Sequence, residues 1–296
     1  MHRYTGLFFV VLIVLLVVAM ACGIAFGTAG VSLHEMWLEI GNIFRNQKQQ
    51  NIDQAVFVQL RLPRVLLCAI TGAILAVSGV LMQGMFRNPI VEPGMIGTSA
   101  GAAFGASIVF VKAPDFSPAL KEVAGPLLTP IAAFLGALLA TIAIYSLAKN
   151  AKRISIMSLL LVGIAINSIC MSGVGFMSYT ARDAQARSIT FWNLGNFNGA
   201  NWLQVMIVGG VAAIVFAISF RYSKQLNTLL LGEEEAGYLG VNPDKLKKRI
   251  LLLNTIMVSV ATAFVGVITF MGLIVPHVLR LLIGSDNKKL LPASMI

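Results

Sequence analysis

Uncharged, hydrophobic stretches separated by short polar segments recur along the whole chain. The 22 residues between Arg64 and Arg87 carry no charge, and as a helix they would span roughly 33 Å. A bilayer hydrocarbon core is about 30 Å thick, so this stretch predicts a membrane-spanning helix bounded by arginines. The same reasoning predicts six spans and one longer run, at residues 6–26, 62–86, 95–111, 123–148, 154–180, 203–220 and 250–279.

The run Ile250–Leu279 is too long for one span, because its uncharged residues would extend about 45 Å as a single helix. Basic clusters bound it on both sides, Lys245–Arg249 before it and Arg280–Lys289 after it. Both ends therefore favour the same side of the membrane, and the run is expected to cross and return as two short helices. Leu290–Ile296 resembles the start of a further span. The expected fold is an all-α polytopic membrane protein with eight transmembrane helices and the start of a ninth, in one transmembrane domain over residues 1–296.

The composition supports a membrane protein and changes the meaning of the charge. Hydrophobic residues make up 57% of the chain and charged residues 11%, whereas soluble domains carry about 25% charged residues. The net charge of +10 therefore indicates basic cytoplasmic loops rather than nucleic-acid binding. With the N-terminus in the cytoplasm, the predicted cytoplasmic segments hold 14 of the 22 Lys and Arg residues. We expect a multi-pass protein of the cytoplasmic (inner) membrane with Gly6–Phe26 as an uncleaved first span rather than a signal peptide.

Two predicted spans carry stripes of small residues. The first stripe ends in a polar amide and consists of Ala69, Gly72, Ala76, Gly79 and Gln83, and the second consists of Gly94, Gly97, Gly101 and Gly105. In lipid, small residues let helix backbones approach closely, because packing rather than hydrophobicity drives association. The turn between these spans contains Asn-Pro and Pro-Gly steps, so the two stripes are expected to pack on each other as a hairpin.

No catalytic or metal-binding pattern is visible. The sequence has no phosphate-binding loop, no HExxH and no Ser-His-Asp spacing, and its three cysteines lie in apolar runs. A packing role suits His277 better than ligand binding. None of the predicted spans holds Asp, Glu, Lys or Arg in its interior, which speaks against proton-coupled transport, because such carriers keep ionisable groups at membrane depth. Energy is therefore expected to enter through a partner.

The polar insert Leu231–Pro243 is the candidate contact for that partner. Three consecutive acids, Glu233 to Glu235, precede a short apolar pair, and Gly240 and Pro243 close the segment. This order predicts one short cytoplasmic helix with negative charge at its start, where the helix dipole favours it. A solvated loop whose charges only maintain solubility is the alternative.

Four motifs resemble the permease subunits of ATP-driven, binding-protein-dependent importers of ferric siderophores, haem and cobalamin, the FecCD-like family of type II ABC importers. The motifs are Arg61-Leu-Pro-Arg64, Gln83-Gly with Phe86-Arg-Asn-Pro-Ile-Val-Glu-Pro-Gly94, Leu231-Gly-Glu-Glu with Leu239-Gly-Val, and Phe270-Met-Gly-Leu-Ile-Val-Pro-His277. The resemblance runs collinearly from the first span to Ser294. The family normally has ten spans, so the resemblance implies that two C-terminal helices are missing from this sequence.

The resemblance also implies roles for individual residues. The positions that match the segment coupling the permease to its ATPase are Gly232, Glu233, Glu234, Ala236, Leu239 and Gly240. Arg61 and Arg64 match arginines that dock the solute-binding protein, for which forked guanidinium groups suit carboxylates; simple interfacial anchoring is the alternative. The cytoplasmic gate matches Asn88, Ile90, Ser155 and Ile156. Gln83 and Asn167 are candidates to line the pathway, although helix packing is the commoner role of such residues.

The function that follows from the resemblance is a non-catalytic permease subunit that imports an iron complex, siderophore or haem, by alternating access. Its expected partners are cytoplasmic ATP-binding subunits, an extracytoplasmic solute-binding protein and a second permease copy in a homodimer or heterodimer. The chain itself is expected to bind no cofactor, with ATP and Mg²⁺ held by the ATPase. The alternatives are a cobalamin permease of the same type, an ion-coupled secondary transporter, or a membrane scaffold that moves no solute.

Overall fold

A computed structural model describes residues 2–25, 55–117, 125–150 and 153–296. The described chain is helical apart from a short antiparallel pair, β1 Lys149–Asn150 and β2 Arg153–Ile154. Its α-helices are α1 His2–Ala25, α2 Leu62–Phe86, α3 Thr98–Lys112, α4 Leu128–Ala148, α5 Ile156–Thr180, α6 Asp183–Asn193, α7 Trp202–Phe220, α8 Ser223–Leu229, α9 Glu233–Tyr238, α10 Pro243–Val265, α11 Met271–Ile283 and α12 Asn287–Met295. Residues 31–44, which are weakly amphipathic within a polar loop predicted from the sequence, lie outside the described residues.

Six helical segments in the described ranges are long and apolar enough to cross a membrane, and they include α1, α2, α4, α5, α7 and α10. Two shorter apolar helices, α3 and α11, do not reach that length. The polytopic, all-α prediction is confirmed at this level, whereas eight remains a predicted number of crossings. The bounds of α2 agree with those predicted, because the charges that flank it place polar groups at both ends of one apolar run.

Two sequence-based boundaries differ from the structure. The run 250–279 does break into two helices at Gly266–Phe270, but the first is not short: α10 begins at Pro243 and contains 23 residues. Asn242 caps it, since its Oδ1 accepts a hydrogen bond from the N–H of Lys245 at 2.9 Å. The segment predicted as a loop after residue 180 contains α6, whose start is stabilised by a bond from the N–H of Arg182 to Gln185 Oε1 at 2.9 Å.

The described chain divides into two compact units. The first comprises the described residues within 1–73, Phe197–Gly210 and Ile296, and the second comprises the described residues within 74–196 and Val211–Met295. The single domain expected for 1–296 remains a prediction.

In the first unit, the end of α1 packs against the approach to α2. Ile24 and Phe57 are buried together, with Val58 and Val65 packed around them. The indole Nε1 of Trp202 donates to the carbonyl oxygen of Val58 at 3.0 Å. Most apolar side chains of α1 are exposed in this chain, as expected of a helix that contacts lipid.

In the second unit, the core is built on close contact between α3 and α4. A Cβ atom at Gly105 would lie 2.1 Å from the carbonyl oxygen of Ala132, and one at Gly101 would lie 2.5 Å from that of Gly136. Only glycine permits this approach, and small buried alanines fill the rest of the contact. The prediction that the two small-residue stripes pack on each other is therefore wrong, since the α3 stripe faces α4 and Gly79 of α2 faces Gly272 of α11.

Candidate functional site

The acidic segment forms a helix, α9, so the helical interpretation of the insert is confirmed. Gly232 precedes it with a φ of 141°, a backbone conformation that strains any residue other than glycine. Ala236 is fully buried, whereas Glu234, Tyr238 and Leu239 are exposed. The outward face therefore presents a carboxylate beside an aromatic and an aliphatic side chain.

Glu233 points inward rather than to the exposed face of α9. Its Oε2 lies 2.6 Å from Nζ of Lys247, whose side chain is 1% exposed. Because a buried ammonium group is costly without a partner, this ion pair ties α9 to the second turn of α10. Sequence reasoning missed Lys247, which it counted only as part of a basic cluster. The sequence did offer one indication that Lys247 is buried, because it lies on the same part of α10 as the apolar residues Leu246 and Ile250.

Helix α8 connects this region to the C-terminal helix α12. Asn227 Nδ2 donates to Asp286 Oδ1 at 2.6 Å, and Asn227 Oδ1 accepts from the backbone and side-chain amides of Asn287, each at 2.8 Å. Asp286 also accepts from the N–H of Lys288 at 3.0 Å, as a helix N-cap.

These contacts shift the acidity of Asp286. Its partial desolvation acts to raise the pKa, but the hydrogen bonds from Asn227 and Lys288 and the nearby lysine charges outweigh it and lower the pKa of the carboxyl. A depressed folded-state pKa contributes stability above the unfolded-state pKa, and the contribution is lost as the pH falls through the folded-state value.

The predicted gate residues lie in two places: Asn88 and Ile90 are in the turn after α2, and Ser155 and Ile156 are at the start of α5. Asn88 Oδ1 accepts from the N–H of Ile90 at 3.0 Å, and the Ile90 side chain is 72% exposed. Ser155 caps α5, its Oγ accepting from the N–H of Ser158 at 3.3 Å. The Ile90 side chain therefore projects from a turn that the Asn88 side chain stabilises. This placement is compatible with a side chain that closes a pathway. The gate role of Asn88, Ile90, Ser155 and Ile156 stays a prediction.

Helices α2 and α11 cross at two glycines. A Cβ at Gly79 would lie 1.8 Å from the carbonyl oxygen of Gly272. Pro276 in α11 has no N–H to donate to that carbonyl four residues earlier. Gln83 Nε2 replaces the missing donor, lying 3.4 Å from the oxygen of Gly272 and 3.1 Å from that of Leu273. Gln83 is fully buried in this chain, which supports packing, and its pathway role remains an untested prediction.

Asn167, the other pathway candidate, also bonds to backbone. Its Nδ2 donates to the carbonyl oxygen of Met95 at 3.2 Å, where Gly163 of the same helix lets the two backbones approach. The side chain is only partly buried, so it retains a surface toward its surroundings.

The segment between α2 and α3 folds back to the middle of α2. A Cβ atom placed at Gly272 would clash with the ring of Pro93 and with the carbonyl oxygen of Leu75. Pro93 and Leu75 therefore both lie against Gly272. Leu75 lies 11 residues before the end of α2 at Phe86, or about 16 Å along the helix axis. The carbonyl oxygen of Pro93 accepts from Asn254 Nδ2 at 3.4 Å.

Glu92 therefore lies beside the middle of α2 rather than beyond its end. Its Oε1 accepts from the N–H of Phe270 at 2.9 Å. Phe270 has a φ of 67°, in the left-handed region that is strained for a bulky residue. The carboxylate thus holds the break between α10 and α11 and faces the start of α11, whose dipole favours negative charge. Sequence reasoning missed this placement because it assigned Glu92 to a loop between spans.

The two predicted docking arginines have different surroundings. Arg61 Nη1 donates to the carbonyl oxygens of Ile24 at 2.7 Å and Ala25 at 3.4 Å, which are the last carbonyls of α1. Arg64 is exposed, and its Nη2 donates to Asn198 Oδ1 at 2.6 Å. Arg61 is thus a helix cap by geometry, whereas Arg64 presents its guanidinium at the surface.

Across the described ranges, no group of three or more His, Cys, Asp or Glu side chains is arranged to hold a metal ion. The described polar groups form packing contacts, a helix break and an exposed acidic face.

Comparison with known proteins agrees with this geometry. The model of the FecCD transport family matches residues 7–296. The hemin transport system permease protein HmuU of Yersinia pestis is 36% identical over 285 residues, covering 96% of this chain and 81% of that protein. The cobalamin import system permease protein BtuC of Halobacterium salinarum is 35% identical, covering 82% of this chain and 63% of that protein. A solved structure assigned to metal-chelate type ABC transporters, in an inward-facing conformation, superposes with a TM-score of 0.81 at 29% identity, covering 96% of this chain and 84% of that one.

Proposed function

The chain belongs to the FecCD transport family, and we propose that it is the membrane-spanning permease subunit of an ATP-driven, binding-protein-dependent importer. It is an integral protein of the inner membrane and has no catalytic role of its own; ATP is hydrolysed by a separate ATPase. The observation that carries this proposal is α9, a short acidic helix with a buried anchor and an exposed outer face. Because the Glu233–Lys247 ion pair joins α9 to α10, a displacement of α9 by a bound partner is transmitted to α10.

The cargo we propose is an iron complex, haem or a ferric siderophore, moved by alternating access. The similarity to a hemin permease over 96% of this chain supports this class. Cobalamin is the next candidate, because the cobalamin relative is 35% identical over a shorter stretch. The ligand bound by the cognate solute-binding protein separates these cargoes directly.

Glu234 is the residue of α9 that we expect to contact the ATPase. Reversal of its charge, Glu234→Lys, should weaken co-purification with the ATPase by at least about tenfold, because like charges would face each other across the contact. The variant should still insert into the membrane, since the side chain is exposed. Asp115→Lys is the matched control, another exposed acid, which lies three residues after the end of α3. Unchanged co-purification of the Glu234 variant would remove the coupling role.

Arg64 is the proposed contact for the solute-binding protein. Arg64→Glu should weaken docking about tenfold at low salt, and the difference should shrink as the salt concentration rises. Arg61→Gln is the control, since Arg61 caps α1; it should loosen the end of α1 and leave docking unchanged. Docking of the Arg64 variant that equals wild type at low salt contradicts the assignment.

A secondary carrier is the second candidate, and one observation now favours it. Glu92 places a carboxylate beside the middle of α2, where the sequence had predicted no ionisable group, and such groups are typical of ion-coupled carriers. If the chain is a permease subunit, the role of Glu92 is to stabilise the break between α10 and α11 by accepting the hydrogen bond from the Phe270 N–H. Glu92→Gln, which keeps an acceptor for the Phe270 N–H, should therefore leave ATP-driven uptake within about twofold of wild type, because only the charge is lost. Uptake that follows a proton gradient and disappears in this variant would support the carrier instead.

A further inference from the structure

Two apolar grooves flank α10 in the second unit, one on each side. The first lies between α4 and α10 and has a volume of about 160 Å³. The second lies between α7 and α10 and has a volume of about 390 Å³. Leu252 lines both grooves and is 54% exposed, so it forms the ridge between them.

The polar groups of the two grooves lie at one end. Lys248 and Tyr145 line the first groove, and Arg249 and Tyr222 line the second. The remaining lining is apolar except for two threonines in the first groove, and it contains no acid. Each groove therefore combines a hydrocarbon surface with one cation and one tyrosine.

This end of the grooves coincides with the ends of three helices. Tyr145 lies in the last turn of α4, Tyr222 lies two residues after α7, and Lys248 and Arg249 lie in the second turn of α10. Helix ends with tyrosines and cations mark the interface of a bilayer with water. Each groove extends from its cation along seven residues of α10, to Thr255 or Ile256, which is about 10 Å into the apolar region.

The two cations are available to a ligand. Lys248 is exposed and makes no hydrogen bond or ion pair within the part of the chain that the structure describes. The guanidinium of Arg249 lies 6.0 Å from the centre of the Tyr222 ring, a cation–π distance that leaves its donors open on one side. Adjacent positions in one helix hold the two charges close together.

We propose that this surface binds an anionic phospholipid with two phosphates and four acyl chains. One phosphate pairs with Lys248 and the other with Arg249, and acyl chains from each half lie in the groove beside its cation. Basic pockets between transmembrane helices are suited to such head groups. The two grooves that share one ridge favour a single lipid with two phosphates over two unrelated lipids, because one glycerol bridge joins phosphates held by the adjacent cations Lys248 and Arg249 at the polar end of the ridge.

Native mass spectrometry of the purified full chain tests this, with cardiolipin, phosphatidylglycerol and phosphatidylcholine offered at equal phosphate concentration. We expect one cardiolipin to be retained in preference to the other two. Lys248→Ala and Arg249→Ala should each reduce its retention about fivefold, the effect of one cation near an anionic lipid surface. Lys245→Ala is the matched control, because Lys245 is an exposed cation of the same helix that lines neither groove.

A second variant tests the grooves without changing charge. Leu252→Trp enlarges the exposed ridge into both grooves and should lower cardiolipin retention while the helix content by circular dichroism stays unchanged. Equal retention of phosphatidylglycerol and cardiolipin would contradict the proposal that one lipid with two phosphates bridges both grooves. Retention that is indifferent to Lys248, Arg249 and Leu252, or equal to that of phosphatidylcholine, would overturn the site.

Discussion

Glu233→Lys is expected to uncouple α9 from α10 and to abolish ATP-driven uptake. The new ammonium group would face Lys247, which is 1% exposed and would lose the Glu233 carboxylate that lies 2.6 Å from its Nζ. Breaking a fully buried ion pair costs about 3–5 kcal/mol, and the cost is lower here because the Glu233 side chain is 36% exposed. The loss should appear as faster proteolysis of the segment around α9 and as lost co-purification with the ATPase.

The charge-swapped double variant, Glu233→Lys with Lys247→Glu, is the control for this prediction. It restores an ion pair of opposite polarity, so it should recover part of the protease resistance that the single variant loses. Lys247→Met removes the buried charge altogether and should be better tolerated than Glu233→Lys, because Glu233→Lys places a second cation beside a buried one. Identical behaviour of the single and double variants would show that the pair does not hold α9.

Gly79→Ala is expected to disrupt the crossing of α2 and α11. A Cβ there would lie 1.8 Å from the carbonyl oxygen of Gly272, so one helix must move. Overpacking of this kind costs about 1–3 kcal/mol, and it also displaces the Gln83 amide from the carbonyls of Gly272 and Leu273, the first of which Pro276 leaves without an internal donor. Thermal unfolding in detergent should show a clearly lower midpoint.

Gly72→Ala is the matched control on the same helix. Among the described residues nothing lies within 4 Å of a Cβ at that position. Alanine also has the higher helix propensity, by about 1 kcal/mol, so the control should be neutral or slightly stabilising. A Gly79 variant as stable as the Gly72 variant contradicts the close crossing.

The helices themselves could largely be predicted from charge and hydrophobicity. The arginines that bound α2 and the absence of charge between them gave its position, because burial in hydrocarbon acts on every residue of a span. The break at Gly266–Phe270 followed from length and flanking charge. Helix α6 could not be found in this way, since its window is polar and its start depends on a hydrogen bond to Gln185.

The pairing of helices could not be predicted from the same pattern. A small residue shows that a partner approaches, but it does not show which one, so the glycines of α3 were assigned to α2 instead of α4. The placement of Glu92 depends on Pro93 packing at Gly272, and the burial of Lys247 depends on the position of α9. These contacts join residues distant in sequence, which local periodicity does not record.

For single residues, too, local features could be predicted from the sequence, whereas contacts between distant residues could not. The acidic helix was predicted as such, whereas the inward direction of Glu233 and the capping role of Arg61 required coordinates. Glu234 on α9 and Arg64 at the start of α2 are among the more exposed members of the two predicted contact sets, and the coupling and docking roles of both sets remain predictions.

The central claim is that this permease takes its driving force from a separate ATPase. Uptake of haem or a ferric siderophore into proteoliposomes that hold the chain, its ATPase and its solute-binding protein tests it most directly. The account predicts accumulation only with hydrolysable ATP on the side of the ATPase, and none when Glu234 is reversed to lysine. Accumulation by the chain alone under an ion gradient, without nucleotide, would contradict it.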